Sequence, residues 1–470
     1  MLHRMDAVLG SLVSWGVGAA VVAAVARPYL FPRPSIHHPS STCGWPLDTR
    51  DGDGDHGTDE VLRCCQINVW SGSTYELEPK GKSTAYQLLY GRFGAFEQPS
   101  QREARHAALV SELRSLRPAL VTINEAASRN WVWALADELG MCAIWHSGVA
   151  VVRLGPLALP PAIQEGDAIL FHPDLHCEHV ARQRLSGCVW GERAAFNFGD
   201  ATQAIAALLR TPAGRRLYVV GTHWQASLIE DDASRSELSQ LAGRMAAPVR
   251  GQSTCTPADR QAQQERVLRE GRRLMKEGTA MRLREAEGVL RLLASDAAQR
   301  ADGRLVMGDL NTTPDTPEMM MLLERGGLVD AWSVSGSGVG GETWVPDNPN
   351  VAMQIAAATR LEPGVVYSGG PVLPWHAAAE AGTPEALAAE VKSLSTQAME
   401  ARAKRLDYIL FTAGEGERWV VDTCSIVMTG ENPAVPQQDE HGAFGRQPKL
   451  ARVASDHHGV LADIRLRSRI

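Results

Sequence analysis

The chain is 470 residues long and 44% apolar, with 47 basic residues against 54 acidic ones and a formal charge of -7. That length admits two or three average domains, or one large α/β domain with insertions, and the acidic balance excludes an overall basic field for holding nucleic acid, though not a local basic groove. The eight cysteines, at 43, 64, 65, 142, 177, 188, 255 and 424, form no CxxC pair and no zinc-spaced cluster, so they read as buried thiols rather than a disulfide framework.

From Ala7 to Ala26 the chain carries no charge, between Arg4 and Arg27. Such a run is long enough to span a bilayer, and Ala24-Val25-Ala26 also fits a signal-peptide cleavage site. Residues 1–31 are therefore expected to be a membrane anchor or a cleaved signal, which would place the protein on a membrane, in the secretory pathway or outside the cell. Residues 32–60, rich in Pro, Ser, Gly and Asp, read as a linker.

A strand is expected over Val61 to Val69, reaching Asn68 at its end and Trp70 just beyond. Residues 71–101 form a loop with Tyr75, Tyr86, Tyr90, Phe93 and Phe96. Helical spacing of Leu109, Leu113 and Leu116 predicts a helix from Arg102 that Pro118 stops. Ala119 to Ile123 is a short apolar strand ending in Asn124 and Glu125. Leu217 to Thr222 repeats the pattern and ends in His223 and Trp224. Residues 258–296 mix Arg, Glu, Gln and Leu at helical period, the pattern of a solvated helix face.

The stretch from Arg304 to Pro317 is the most informative. An apolar run, Leu305 to Met307, passes Gly308 and delivers Asp309 and Asn311 two positions apart; a strand over 304–311 is expected, which puts both on one face. Thr316 as cap, Pro317 at the first helical position, Glu318 in the first turn and Gly326-Gly327 as the stop predict a helix. Alone, the stretch reads equally well as an ordinary strand-to-helix turn. Residues 377–404 read as a helical surface insertion, Leu406 to Thr412 as a strand bearing Asp407, and Ser455-Asp456-His457-His458 leads into a last strand, Val460 to Leu466. Strands alternating with helices imply a buried sheet covered by helices.

Asn68, Glu125, His223, Asp309, Asn311, Asp407, Asp456 and His457 all fall at strand ends or edges. Together they are hard oxygen donors with two imidazoles and no thiolate, a set that suits magnesium, or manganese, better than structural zinc. Magnesium keeps several of its waters, so such a site stays open to a substrate phosphate.

The succession INVW, INEA, GTHW, GDLN, RLDYILF and SDHHGV, in this order, resembles the endonuclease/exonuclease/phosphatase superfamily of metal-dependent phosphoesterases. The resemblance covers residues 61–470 and implies a four-layer α/β sandwich of two packed mixed sheets with helices outside, here with helical insertions near 230–300 and 377–404. It implies that Glu125 is the principal magnesium ligand, with Asn68 and Asp456 near the metal or its waters. Asp309 would orient or deprotonate the attacking water, and Asn311 would position Asp309 or the phosphate. His457, steadied by Asp407, and His223 would contact the phosphate. In-line displacement at phosphorus needs those three things: an activated water, neutralised oxygens and help for the leaving group.

Departures from the family pattern bear on the substrate. Asn124 stands where the family commonly has Gln or Asp, a change expected to matter little. The run 186–199 lacks the Tyr or Arg motif that family nucleases use around their phosphate. Gly148 to Gly155 and Gln164 to Leu170 resemble the segment before a central strand, with Gly166 at a turn, and the Asn68-Val-Trp70 form is similar to the sphingomyelinase branch. A phosphodiester substrate follows, with a phospholipid such as sphingomyelin favoured over nucleic acid; a DNA or RNA nuclease and an inactive binding or scaffold protein are the alternatives.

Overall fold

The computed structural model describes residues 34–51, 58–69, 73–75, 93–95, 99–147, 152–154, 157–159, 166–185, 202–226, 228–245, 256–335, 340–345, 348, 402–412, 419–430, 441–442, 445–446 and 454–466. Strands β1 (Ser35–His37), β2 (Asp48–Asp51), β3 (Thr58–Asn68), β4 (Ser73–Tyr75) and β5 (Phe93–Ala95) lead to helix α1 (Pro99–Leu116). Next come β6 (Leu120–Ala126), α2 (Arg129–Leu139), β7 (Cys142–Ser147), β8 (Val152–Leu154), β9 (Leu157–Leu159) and β10 (Gly166–Phe171). They are followed by β11 (His176–Arg184), β12 (Gln203–Arg210), β13 (Arg216–His223), α3 (Asp232–Met245), α4 (Pro257–Leu293) and α5 (Asp296–Gln299). The chain continues through β14 (Gly303–Asp309), α6 (Pro317–Gly326), β15 (Leu328–Asp330), α7 (Ala331–Val334) and β16 (Asp407–Thr412). It closes with β17 (Trp419–Val427), β18 (His441–Gly442), β19 (Gly445–Arg446) and β20 (Gly459–Leu466).

An eight-stranded sheet runs β1-β7-β10-β6-β3-β20-β17, with β2 attached to β3, and a six-stranded sheet runs β11-β12-β13-β14-β16-β15. Each is mixed: β3 and β6 are parallel in the first, β13 and β14 in the second, and each parallel pair is joined through helix. The side-chain alternation of strands then builds the layers. Leu62 and Cys64 of β3, Leu120 of β6, Leu217 and Val219 of β13, Leu305 and Met307 of β14, and Ile409 and Phe411 of β16 fill the gap between the sheets. The opposite faces pack Cys65, Ile67, Val121 and Ile123 under α1 and α2, and Tyr218, Val220, Val306 and Leu410 under α4 and α6. This is the expected four-layer α/β sandwich.

Along each inward face the apolar positions give way to polar ones at the same end. β3 reads Leu62, Cys64, Gln66, Asn68; β6 reads Leu120, Thr122, Asn124; β14 reads Leu305, Met307, Asp309; and β16, antiparallel to it, reads Phe411, Ile409, Asp407. One rim of the sandwich therefore carries the polar groups. Gly308 is required there, because a Cβ on it would meet the Thr222 carbonyl oxygen of β13 at 1.8 Å.

Several expectations are corrected. The 32–60 stretch is no linker throughout: β1 pairs with β7, and β2 with β3, so both belong to the first sheet. Gly166 opens β10, paired with Ala126 and Ser147, rather than occupying a turn. The strand through Asp309 ends there, so Asn311 does not share its face by strand geometry. The helix over 257–293 is solvated on part of its surface, yet Arg282 and Glu285 are wholly buried. Cys43, Cys64, Cys65, Cys142, Cys177 and Cys424 are free thiols, and burial pushes Cys65 and Cys424 up to about 12.

Residues 1–33, Trp70, most of the 71–101 loop, the 186–199 run, Cys188, Cys255 and 377–401 lie outside the described residues. Among the described residues no helix is long and apolar enough to cross a membrane.

The buried face of α4 ties down two rim loops. Arg282 Nε donates to Glu318 Oε1 of α6 at 2.6 Å, both side chains being fully buried, and Thr312 Oγ1 donates to the same oxygen at 2.9 Å. Glu285 Oε2 accepts the Gln225 amide at 3.1 Å. Thr312 follows Asn311, and Gln225 lies just past His223. Removing one partner strands a buried charge, so Glu318→Ala should cost about 3–5 kcal/mol, whereas Arg282→Met with Glu318→Leu should recover most of it. Guanidinium unfolding of the variants checks this.

Candidate active site

Five strand ends meet at the polar rim, those of β3, β6, β13, β14 and β16. In the first sheet Asn68 is paired in register with Asn124, beside Glu125; in the second His223 is paired with Asp309, and Asp309 with Asp407. The last strand starts just after His457, whose segment bridges to Trp344.

Glu125 breaks the alternation of its strand. By position it belongs on the helix-covered face with Val121 and Ile123, yet its backbone has a φ of 55°. The register between β6 and β10 shifts at this point, with Gly166 opposite Ala126 but Ala168 opposite Ile123. The left-handed residue sends the carboxylate to Asn68, whose Nδ2 donates to Glu125 Oε1 at 3.0 Å. That conformation is worth about 1–2 kcal/mol of strain in a residue with a Cβ. Asn311, with a φ of 47°, is a second such position, one that asparagine tolerates better. Its amide N–H donates to Asp309 Oδ1 at 2.8 Å, and its Nδ2 donates to the Trp224 carbonyl at 2.9 Å and His223 Nε2 at 3.1 Å.

Asp309 is the centre. Asn68 Nδ2 donates to its Oδ2 at 3.0 Å, so one amide links carboxylates from both sheets. His223 Nε2 lies 3.7 Å and His457 Nε2 3.9 Å from that same oxygen. Burial first, then the Asp407 charge, push Asp309 up to about 6, against the pull of both imidazoles and the Asn68 hydrogen bond. His457 Nδ1 meets Asp407 Oδ2 at 2.8 Å. Burial acts to lower His457, but the charge and hydrogen bond of Asp407, with Asp309 and Asp456, hold it well above the usual imidazole value. Burial acts to raise Asp407, and His457, Thr343 and Gln66 hold it below the ordinary carboxylate range. Asp456, largely buried, lies 3.1 Å from Ser455 Oγ and reaches the cluster through its charge on His457.

The structure thus brings Asn68, Glu125, His223, Asp309, Asn311, Asp407 and His457 together, with Asp456 alongside. Four partners escaped the sequence reading: Gln66, Thr122, Asp167 and Thr343. Asn124, thought of little consequence, joins the sheets. Its Oδ1 accepts from the Asp309 amide and from Gln66 Nε2, each at 2.8 Å, while its Nδ2 donates to Asp167 Oδ1 at 2.7 Å and the Thr222 carbonyl at 3.2 Å. The available signal was a polar residue two positions before Asn68 and another two before Asn124, each on an inward face. Asp167 and Thr343 had none.

Among the described residues, two groups could hold a divalent cation. Asp309, Asp407 and His457 each present one ligand atom within 4.8 Å of the others. His457 Nδ1 and Asp407 Oδ2 are already joined there, and a cation would compete with that bond. Glu125 is the more open candidate: a hard carboxylate whose side chain is 23% exposed to admit an ion and its waters, beside Asn68, whose carboxamide would turn its oxygen rather than its NH2 to the ion.

A profile described as "Endonuclease/Exonuclease/phosphatase family" matches residues 65–457. No curated protein sequence matches the chain. Solved structures similar to it include an endonuclease/exonuclease/phosphatase from Bacteroides vulgatus, 12% identical, with a TM-score of 0.46 over 87% of this chain and 99% of that one. A family protein from Bacteroides thetaiotaomicron is 10% identical, TM-score 0.47, over 88% and 97%. D. rerio TDP2 complexed with single strand DNA product is 12% identical, TM-score 0.43, over 86% and 98%.

Asn124→Ala should lower unfolding stability by at least about 2 kcal/mol, since it strands several buried polar groups. Asn124→Asp keeps the acceptor oxygen but faces Asp167 with a second carboxylate. Its folded pKa is then raised, so the variant should be near wild type in acid and lose stability as pH climbs past about 4. Denaturation midpoints across pH test both.

Proposed function

This chain belongs to the endonuclease/exonuclease/phosphatase family, and we propose that it hydrolyses a phosphodiester with a water activated at Asp309, magnesium being the divalent cation. The observation that carries the reading is Asp309 itself: a buried carboxylate at about 6, with two imidazole nitrogens and an amide converging on one of its oxygens. A base with a pKa close to neutrality is mostly ionised at pH 7 and still accepts a proton readily.

Asn311, through its amide on Asp309 Oδ1, holds that carboxylate in one rotamer. His457, kept protonated by Asp407, presents a cationic Nε2 to the oxygens of a phosphoryl group. His223 stands on the other side of Asp309, 3.8 Å from Glu125, and supplies a second imidazole contact. Glu125 and Asn68 would hold magnesium, with Asp456 beside them, leaving Asp309 to take the proton; when bound, magnesium supplies charge neutralisation on the phosphoryl oxygens.

Among phosphodiesters we favour a lipid such as sphingomyelin over nucleic acid. The support is the uncharged segment from Ala7 to Ala26, which would hold the enzyme at a membrane or lead it into the secretory pathway, and the excess of acid over base. A panel of bis(p-nitrophenyl) phosphate, sphingomyelin in detergent micelles and oligonucleotides, each with magnesium, tests the reading. Turnover of oligonucleotides alone would replace lipid by nucleic acid; turnover of nothing would favour a binding protein. Asp309→Ala and His457→Ala should each lower kcat on the order of a hundredfold or more. Chelation by EDTA should abolish turnover and added magnesium restore it; Glu125→Gln should raise the magnesium concentration required.

A further inference from the structure

Gln66 is the outlier on the inward face of β3. The positions before it, Leu62 and Cys64, belong to the apolar layer, and Gln66 is as fully buried as they are. A carboxamide in that place costs about 1–3 kcal/mol for each polar group left without a partner, and an apolar residue of like size would need no partners at all. Stability alone gives no reason for it.

Its hydrogen bonds run in one sense only. The Asp309 amide can only donate, so the Asn124 atom facing it is oxygen. Gln66 must therefore turn its NH2 to that oxygen, at 2.8 Å, and its second hydrogen goes to Asp407 Oδ1 at 3.2 Å. The Thr122 hydroxyl donates to Gln66 Oε1 and closes the arrangement. Asp407 thus has Oδ1 held by Gln66, Oδ2 by His457 and its amide N–H by Thr343 Oγ1 at 3.1 Å.

We propose that Gln66 is a positioning residue for the reaction. Its carboxamide fixes the plane of the Asp407 carboxylate, and through it the His457 ring, with Nε2 turned toward Asp309 Oδ2. A carboxylate bonded through one oxygen rotates about its last torsion, whereas one bonded through both does not. Two residues along the same face, Asn68 holds Asp309. A single strand of one sheet therefore sets both acidic groups of the other. This inference rests on the hydrolase reading above.

The test uses the full chain with magnesium and bis(p-nitrophenyl) phosphate. Gln66→Met, which keeps length and removes polarity, should lower kcat about 10–100-fold with KM nearly unchanged, and should lower the melting temperature because the Thr122 hydroxyl and Asp407 Oδ1 each lose a buried partner. Thr122→Val, which frees the far side of the carboxamide, should lower kcat in the same direction by less. If Gln66 acts through Asp407, adding Gln66→Met to Asp407→Asn should change kcat by less than about twofold. The bonded Nδ1 proton of His457 gives a downfield NMR resonance, identified by its loss in His457→Gln, and it should shift or broaden in Gln66→Met. Wild-type kcat in Gln66→Met, a full multiplicative loss in the Asp407→Asn background, or an unmoved resonance overturns the proposal. Should Gln66→Met fail to fold, kcat and the resonance in Thr122→Val decide. Absence of wild-type turnover on bis(p-nitrophenyl) phosphate, sphingomyelin micelles and oligonucleotides alike overturns the hydrolase reading, and the resonance alone then decides whether Gln66 holds His457; turnover of another substrate of the panel moves the kcat comparisons to that substrate.

Discussion

The carboxamide of Asn124 is the joint on which the rim depends. Apolar packing between two sheets is strong but non-directional, and it leaves relative sliding of the sheets weakly opposed. Asn124 adds direction: all of its hydrogen-bonding capacity on both atoms is engaged, with Gln66 and Asp167 in its own sheet and the Asp309 amide and Thr222 carbonyl in the other. A fully satisfied polar group in a low-dielectric gap specifies one arrangement, because any displacement leaves a buried group unpaired. The separation of Glu125 from Asp309, which come from different sheets, is set by this joint and by the Asn68 amide between them.

Local backbone strain finishes what the joint begins. Regular strands would turn the Glu125 carboxylate toward the helices and carry Asn311 past the rim. Left-handed conformations at both residues, with φ of 55° and 47°, bring their side chains to the cluster. Such conformations persist only where the surroundings over-determine them. Glu125 lies at a register shift held between β7, β10 and β6, and Asn311 is held through its amide by Asp309 and through its side chain by Trp224.

The helices of the second sheet serve as buttress. α4 fixes the loops after His223 and Asn311 through Glu285 and the Arg282–Glu318 pair. Asp231, just before α3, accepts from Thr313 at 3.1 Å and from Arg402 at 2.9 Å, so the chain leading to Asp407 is tied to the chain leaving Asn311. Electrostatics at the centre then follows from enforced proximity. Two carboxylates are buried in register across β14 and β16: burial first, then their repulsion, pushes Asp309 up to about 6, Asp407 is held ionised by His457, and that imidazole is kept cationic in return.

The sequence by itself determined the strands that carry the site, β3, β6, β13, β14, β16 and β20, and the charged and amide residues at their ends. Apolar runs that end in polar residues are local patterns, and alternation tells which neighbours share a face. Legible this way were Asn68, Asp309, Asp407 and His457, the cap and stop of α6, and the mixed α/β class. Only the tertiary structure decided the rest, because the decisive contacts span the chain: Asn68 to Asp309 is 241 residues, and Gln66 to Asp407 is 341. No local period encodes a distance across two sheets. Gln66 and Thr122 therefore passed for ordinary strand residues, Asn124 for a mild variation, Arg282 and Glu285 for solvated helix charges and β1 for linker. The left-handed turn at Glu125 was hidden for the same reason, since a glutamate adopts it only where packing leaves no alternative.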